Sequence, residues 1–339
     1  MPVLITTALN FSMPHSRHLV FLALFPFSVR AAMPSALEPR GENMVRVAEI
    51  TQVLFIGAAV IFMLVIIMLI LALYGPARLR RRLGRRSLIV GAGVVFPVTA
   101  LSALLVYAWS TTSVTSRDNT QPTARIEVTG EMWWWRVRYL DQDGRLLFET
   151  ANDIRIPASV PVVFELKSDN VIHSFWVPEL AGKLDMVPGR VNRLRVQAQR
   201  PGLFRGQCAE YCGAQHAKMM FQVQALTLDE FRAWIISQRL PASEPADARL
   251  LHGKRLVVQA CAQCHTIRGT EAAGTRGPDL THIGSRSSLA AGVLPVNVGT
   301  LAGWIADSQH IKPGNQMPSF NQFSGENLRA VARYLESLK

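Results

Sequence analysis

Cysteine is nearly absent from this chain. Its 339 residues hold four, and all four fall into two short motifs, one at Cys208 and Cys212 and one at Cys261 and Cys264. No thiol is left over for a structural disulfide. Also missing are a glycine-rich phosphate loop, a Ser/His/Asp or Cys/His nucleophile, any nucleic-acid motif, an internal repeat and a low-complexity tract. Phosphoryl transfer and nucleophilic hydrolysis therefore have no residues to carry them. Acidic residues are few, 24 against 36 basic, which leaves a formal charge of +12 that needs a partner or a place.

Charge of either sign is missing from Ile50 to Ala77 and from Ser87 to Ser116. Each stretch contains enough apolar residues to cross a bilayer core of roughly 30 Å as a helix. Spans are expected at about 51–74 and 88–109. Buried core helices are the alternative; uncharged surfaces on every side favour the bilayer. Between the runs, six arginines occur in nine residues, 78–86. The positive-inside rule assigns this loop to the cytoplasm, and the N-terminus and everything after about residue 117 to the outer face. Half of the +12 sits in that loop, where lipid headgroups account for it better than nucleic acid does.

The first forty residues resemble a signal peptide, with a short apolar run from Leu19 to Phe27 and small residues near Ala36; Met13 is an alternative start. From 124 to about 226 the texture is β. Arg125–Thr129, Val162–Leu166 and Val191–Gln197 alternate apolar and polar residues, and Pro and Gly pairs punctuate them. Many short strands without a long helix predict a Greek-key sandwich or barrel over 117–239. Thr227 to Glu230 reads as a capping box that opens a trailing helix to Arg239. Residues 240–246 form a Pro/Ala linker, and 247–339 read as helical, with helix starts near Asn297 and Ser324 and loops over 266–288.

Cys208-Ala-Glu-Tyr-Cys212 leads to His216 four residues later and to Met219 three beyond that. Two thiolates, an imidazole and a thioether on one loop suit copper. A single-copper site needs one cysteine, whereas two can bridge a pair of ions. A second histidine is then required, and His173, at the end of a predicted strand, is the best candidate. A Cys2His2 zinc site uses the same four residues but leaves Met219 unexplained. A Cys208–Cys212 disulfide ignores both histidines.

Cys261-Ala-Gln-Cys264-His265 offers two thiols for thioether bonds to haem vinyl groups and a proximal imidazole. Gly277-Pro278 follows as a loop whose carbonyl can orient His265. Lys312-Pro-Gly-Asn-Gln-Met317-Pro318 presents a methionine as the sixth ligand, a pairing that raises the reduction potential. His282 and His310 are the competing distal ligands.

With these residues in view, 124–226 resembles the periplasmic cupredoxin domain of cytochrome c oxidase subunit II, and the apolar hairpin over 45–116 resembles its membrane anchor. Residues 247–339 resemble a class I cytochrome c domain, and the fusion resembles the oxidase branch in which that domain is tethered to subunit II. The resemblance implies a three-part fold: a two-helix transmembrane hairpin, an all-β cupredoxin-like barrel and an all-α cytochrome c domain. It implies His173, Cys208, Cys212, His216 and Met219 as ligands of binuclear copper A, completed by the Glu210 carbonyl. It further implies a magnesium ion reached by the Glu210 side chain at the border with subunit I, near Asp185. Trp133, first of Trp133-Trp-Trp135, takes the place of the family's electron-accepting tryptophan.

The implied activity is that of an oxidase subunit in a bacterial plasma membrane. Electrons would run from an external donor such as cytochrome c through haem c and copper A to subunit I, with subunit III alongside. Oxygen would be reduced to water in subunit I, not in this chain, with proton translocation. Two positions depart from the family. No carboxylate opens the second span, and Met132 replaces the usual glutamine before the aromatic triplet. Nitrous-oxide reductase, a quinol-oxidase subunit and a tethered copper carrier or redox sensor are the rival readings. Against them, in turn, the chain has neither the repeats nor the length for a propeller, keeps all the copper ligands that a quinol-oxidase subunit has lost, and carries a haem motif that a carrier or sensor leaves unexplained.

Overall fold

The computed structural model describes residues 35–116, 122–245 and 247–339. The expected leader lies mostly outside the described residues. Its last part does not, because Arg40 and Gly41 donate their amides to the Glu179 carbonyl at 2.8 and 3.0 Å. Gly41 also bridges Ala198 as a short antiparallel pair.

Two apolar helices follow. The first, α1 (Glu42–Tyr74), starts well before the expected span, and Asn43 ties this extra stretch to the Arg195 carbonyl. A short basic helix, α2 (Ala77–Leu83), carries much of the arginine loop. The second long helix is built from α3 (Arg86–Val90), a π-turn over Gly91–Val95 and α4 (Phe96–Ser116). The glycines Gly91 and Gly93 fall in that wider turn, where missing side chains relax the packing of a regular helix. Both helices are long and apolar enough to cross a membrane.

Ten strands then form two five-stranded sheets. One has the order β3 (Leu146–Ala151), β2 (Trp134–Leu140), β1 (Ala124–Glu131), β5 (Val162–Ser168), β8 (Asn192–Val196). The other has the order β4 (Asp153–Pro157), β10 (Met220–Leu226), β9 (Gly202–Cys208), β6 (His173–Trp176), β7 (Leu184–Met186). Parallel pairs β1–β5 and β4–β10 sit among antiparallel neighbours, so the chain reaches them by crossovers and not by hairpins. Inward residues such as Ile126, Val128, Val137, Phe164, Phe175, Phe204 and Phe221 fill the space between the sheets. Each large side chain buried in this way contributes about 1.5–3 kcal/mol. Tyr139 of β2 crosses to β4, donating to the Arg155 carbonyl and accepting from its amide at 2.8 and 2.7 Å. The capping box at Thr227 opens α5 (Leu228–Arg239), whose Trp234 packs edge-on against Tyr139 and Phe148.

The C-terminal module is helical. It contains α6 (Ala248–Cys261), α7 (Val298–Ala306), α8 (Ser308–Ile311) and α9 (Gly325–Ser337). Asn297 and Ser324 cap α7 and α9 as the sequence predicts. The helices α6 and α9 cross closely at Gly253, where a Cβ would lie 2.2 Å from the Ala330 carbonyl oxygen. Only glycine permits that approach. Val257, Leu301, Ile305, Val331 and Leu335 form the core around it.

Candidate copper and haem sites

The sheet brings the two halves of the copper motif together. His173 opens β6 and Cys208 closes β9, and in the antiparallel pairing Phe175 faces Cys208. The loop from 208 to 219 is closed at its base by Cys208 N–H donating to the Met219 carbonyl at 2.9 Å. His173, Cys208, Cys212 and Met219 are all buried, and His216 is half-buried on a short 3-10 turn.

Six donor atoms converge. The two sulfurs are 3.7 Å apart; His173 Nδ1 lies 3.8 Å from Cys208 Sγ, and His216 Nδ1 lies 3.6 Å from Cys212 Sγ. The Glu210 carbonyl stands 3.2 Å from the Cys208 sulfur, and Met219 Sδ stands 3.8 Å from the Cys212 sulfur. Each sulfur therefore has its own imidazole and its own weak donor. A metal–thiolate bond is about 2.3 Å, so one ion can touch both sulfurs. Tetrahedral zinc uses four donors, whereas this arrangement of six, three of them soft sulfur, fits two bridged copper ions.

Two residues that sequence reasoning did not single out prepare His173. Asn170 Oδ1 lies 3.0 Å from His173 Nε2. With the Nε2 proton directed there, Nδ1 keeps its lone pair facing the sulfurs. Gly130 lies against the ring, where a Cβ would come within 2.7 Å. The thiols also prepare each other. Hydrogen bonding from Cys212, and then from His173, holds the Cys208 thiol below the usual thiol range, while the same Cys208 contact pushes Cys212 up.

The three tryptophans divide. Trp135 is fully buried and packs edge-on against Phe175 and Phe221. Trp134 lies beneath the Arg136 guanidinium, 4.7 Å from its ring centroid. Trp133 is half-buried, and its indole N–H donates to the Cys212 carbonyl at 2.8 Å. That contact joins the indole to the copper loop itself. Glu210 and Asp185, on the exposed side of the loop, face Lys183 Nζ at 3.6 and 3.5 Å.

The haem motif sits where α6 ends. The amides of Cys264 and His265 both donate to the Cys261 carbonyl, at 3.1 and 3.0 Å, so the motif wraps as one tight turn. His265 Nδ1 lies 2.8 Å from the Pro278 carbonyl, and Gly277 lies against the ring, where a Cβ would come within 2.5 Å. The carbonyl fixes the Nδ1–H tautomer and leaves Nε2 to bind a metal. Burial lowers the His265 pKa, which favours the neutral ligand form. Burial also pushes the Cys261 thiol up to about 11.

Met317 is held by its backbone. Its amide donates to Asn315 Oδ1 at 2.8 Å, and its carbonyl accepts from Ser308 and Gln309 at 2.7 and 2.8 Å. His282 has both ring nitrogens engaged, 3.1 Å from the carbonyls of Lys339 and Leu240. His310 is exposed on α8. The rigid Gly277–Pro278 cradle for His265 and the pinned Met317 loop fit a haem with His/Met ligation.

Fold and sites together define a membrane-anchored protein with a cupredoxin-like copper module and a cytochrome c module. The family described as cytochrome c oxidase subunit II, periplasmic domain, matches residues 139–226, and the cytochrome c family matches 250–339. Over 317 residues the chain is 34% identical to cytochrome c oxidase subunit 2 of Alkalihalophilus pseudofirmus, covering 90% of this chain and 91% of that one. The Bacillus subtilis subunit 2 is 27% identical over 96% of this chain and 98% of its own. A crystal structure of the periplasmic domain of subunit II of cytochrome oxidase of Bradyrhizobium japonicum is 27% identical, with a TM-score of 0.33, covering 35% of this chain and 95% of that chain. The chain belongs to the cytochrome c oxidase subunit 2 family and is a subunit of that haem–copper oxidase complex.

Proposed function

We propose that this chain relays electrons from an external donor, cytochrome c or another, through covalent haem c and binuclear copper A to subunit I. There oxygen is reduced to water with coupled proton translocation. The observation that carries the reading is the convergence of six donor atoms around the Cys208–Cys212 pair.

His173, Cys208, Cys212, His216, Met219 and the Glu210 carbonyl would hold the copper pair, which supplies a one-electron carrier. Asn170 and the packed Gly130 keep the His173 imidazole turned for ligation, so little reorganisation accompanies electron transfer. Cys261 and Cys264 would bind the haem covalently, with His265 and Met317 as axial ligands. Burial of the site excludes water and keeps competing oxidants away from the sulfurs. Trp133 is the proposed first acceptor of electrons, supported by its hydrogen bond to the Cys212 carbonyl.

At the proposed border with subunit I, the carboxylates of Glu210 and Asp185 share Lys183 as their positive partner. A magnesium ion bound there would replace the Lys183 contact. The arginine loop would face the cytoplasm, and both redox modules would face outward, where haem attachment takes place in bacteria. Subunit III is the further expected neighbour.

The test is metal content with optical and EPR spectra on the purified oxidase. Two coppers and one haem c in this chain, with a mixed-valence copper signal, are expected. One zinc, or no metal on the 208–219 loop, would sink the reading.

A further inference from the structure

The two redox modules touch, and one part of the contact, besides outlying pairs such as Ser287 N–H to Asp153 and Arg136 to the Thr275 carbonyl, each at 2.9 Å, lies at the residues that neighbour the proposed ligands. From the haem module come the carbonyls of Ile311 and Pro313, just before Met317, and the segment Ala290-Ala-Gly292. From the copper module come Gln215, Lys218 and Met220, interleaved with His216 and Met219, and the Trp133 backbone. Gln215 Nε2 donates to the Pro313 carbonyl and Lys218 Nζ to the Ile311 carbonyl, each at 2.8 Å. Met220 N–H donates across the contact to the Ala291 carbonyl at 3.0 Å.

Lys312 stands at the centre and is 3% exposed. Its Nζ reaches the carbonyls of Trp133 at 2.6 Å, Lys218 at 2.8 Å and Ala290 at 3.1 Å. Three acceptors around one nitrogen match the three N–H donors of an ammonium. Two of those carbonyls belong to the copper module and one to the haem module. Backbone strain marks the same place. Ala290 and Ala291 have φ of 53° and 59°, followed by Gly292 at 85°. Consecutive left-handed alanines are disfavoured alone and persist where the surroundings impose them. Here that backbone turns the Ala290 and Ala291 carbonyls to Lys312 and Met220. Beside Lys312, Gly314 lies flat against the Trp133 indole, where a Cβ would sit 3.7 Å from the ring.

We propose that Lys312 is a positioning residue for electron transfer between the modules: its three-carbonyl clamp fixes the Met317 loop against Trp133 and the copper loop. This deepens the electron-relay reading and rests on it. In the step concerned, one electron would leave the haem held by Cys261, Cys264, His265 and Met317 and be gained by the copper pair held by the 208–219 loop and His173, with no bond made or broken. Because tunnelling falls steeply with distance, a docked haem module transfers quickly and an undocked one slowly. The tether alone supplies a high local concentration, not a fixed geometry.

The test uses the purified oxidase with full-length subunit, as wild type, Lys312→Met and Lys218→Ala. Methionine keeps an unbranched stem but removes all three donors. Amide exchange at Met220 reports docking, and exchange at Val223, inside the β10–β9 ladder, controls for folding. For Lys312→Met, Met220 should exchange roughly ten-fold faster or more, since several charge-assisted bonds vanish together, with Val223 unchanged. Light-triggered reduction of the haem should show transfer to copper slowed by a similar factor, with both optical spectra intact. Lys218→Ala removes only an exposed donor and should give a smaller change in the same direction. Unchanged transfer in Lys312→Met, whether or not Met220 exchange rises, would overturn the proposal. Should Lys312→Met fail to fold, unchanged Met220 exchange and transfer in Lys218→Ala would overturn it instead. Loss of copper from the wild type would refute the relay reading, while Met220 exchange would still report the clamp.

Discussion

The copper module and the haem module build their sites in opposite ways. The proposed copper donors come from separate strands of one sheet: His173 from the start of β6 and the 208–219 loop from the end of its interior neighbour β9, brought together by strand pairing. The haem motif is local, two cysteines and a histidine within one turn at the end of α6, followed by a methionine held through its own backbone. A site made by sheet register inherits the rigidity of a large apolar core, with His173 and Met219 fully buried. A site made by loops relies on backbone hydrogen bonds and on glycine cradles such as Gly277. The copper site is therefore expected to fail all at once when a ligand is lost, and the haem site to fail by degrees.

The largest expected effect tests the first half of that contrast. Cys208→Ser removes the proposed bridging sulfur, which faces Cys212, His173 and the Glu210 carbonyl together. Copper A absorption should vanish and onward electron flow should stop, while haem c still becomes reduced by its donor. Turnover at the wild-type rate would show that electrons take another route. Met317→Ala is the milder counterpart. The Asn315, Ser308 and Gln309 contacts hold the backbone, not the side chain, so the loop should survive. Haem should stay attached, its potential should fall because the thioether is lost, and transfer to copper should slow. An unchanged potential in redox titration would point to a different sixth ligand.

What the sequence made legible follows the same division. The haem motif, the capping residues Thr227, Asn297 and Ser324, and the apolar spans are local patterns whose physics acts over a few residues. The convergence of the proposed copper donors was also readable, because four of the five side chains share one loop; His173 needed a prediction of which strand would return beside it. Gly130 and Lys312 were not readable as functional. Gly130 matters only because β1 passes the His173 ring. The Lys312 ammonium finds its acceptors 179, 94 and 22 residues away in sequence. Ala290 and Ala291 carry no signal for left-handed backbone, which sequence patterns assign to glycine or asparagine. The extra turns at the start of α1 are polar enough to fall outside a span, yet tertiary contacts with the copper module sustain them as helix.

Asn170→Ala sharpens the comparison by weakening a proposed copper ligand, His173, without removing it. The substitution deletes the 3.0 Å partner of His173 Nε2, and the Gly130 contact remains to hold the ring in place. Partners of metal-bound histidines are worth about 10–100-fold in metal affinity. Chelator competition should show a loss in that range, with the copper spectrum retained at saturating copper. A loss as complete as that of Cys208→Ser would mean that Asn170 holds the loop fold and not merely the ring.

The smallest expected effect compares the modules through one device used in both. Thr227 and Asn297 each close a capping box, accepting from the amides of Glu230 and Thr300 at 3.4 and 2.9 Å. Replacing either by alanine should cost about 1 kcal/mol, within the usual range for N-caps. The consequences should differ in place. The helix α7 supplies Leu301 and Ile305 to the haem-module core, so Asn297→Ala should lower the thermal transition followed by haem absorbance. The helix α5 packs by Trp234 on Tyr139 and Phe148 at one side of the sandwich, so Thr227→Ala should shift the copper-centred transition instead. Coincident shifts in both transitions for both variants would mean that the modules unfold as one unit. The clamp at Lys312 would then couple them in stability as well as in position.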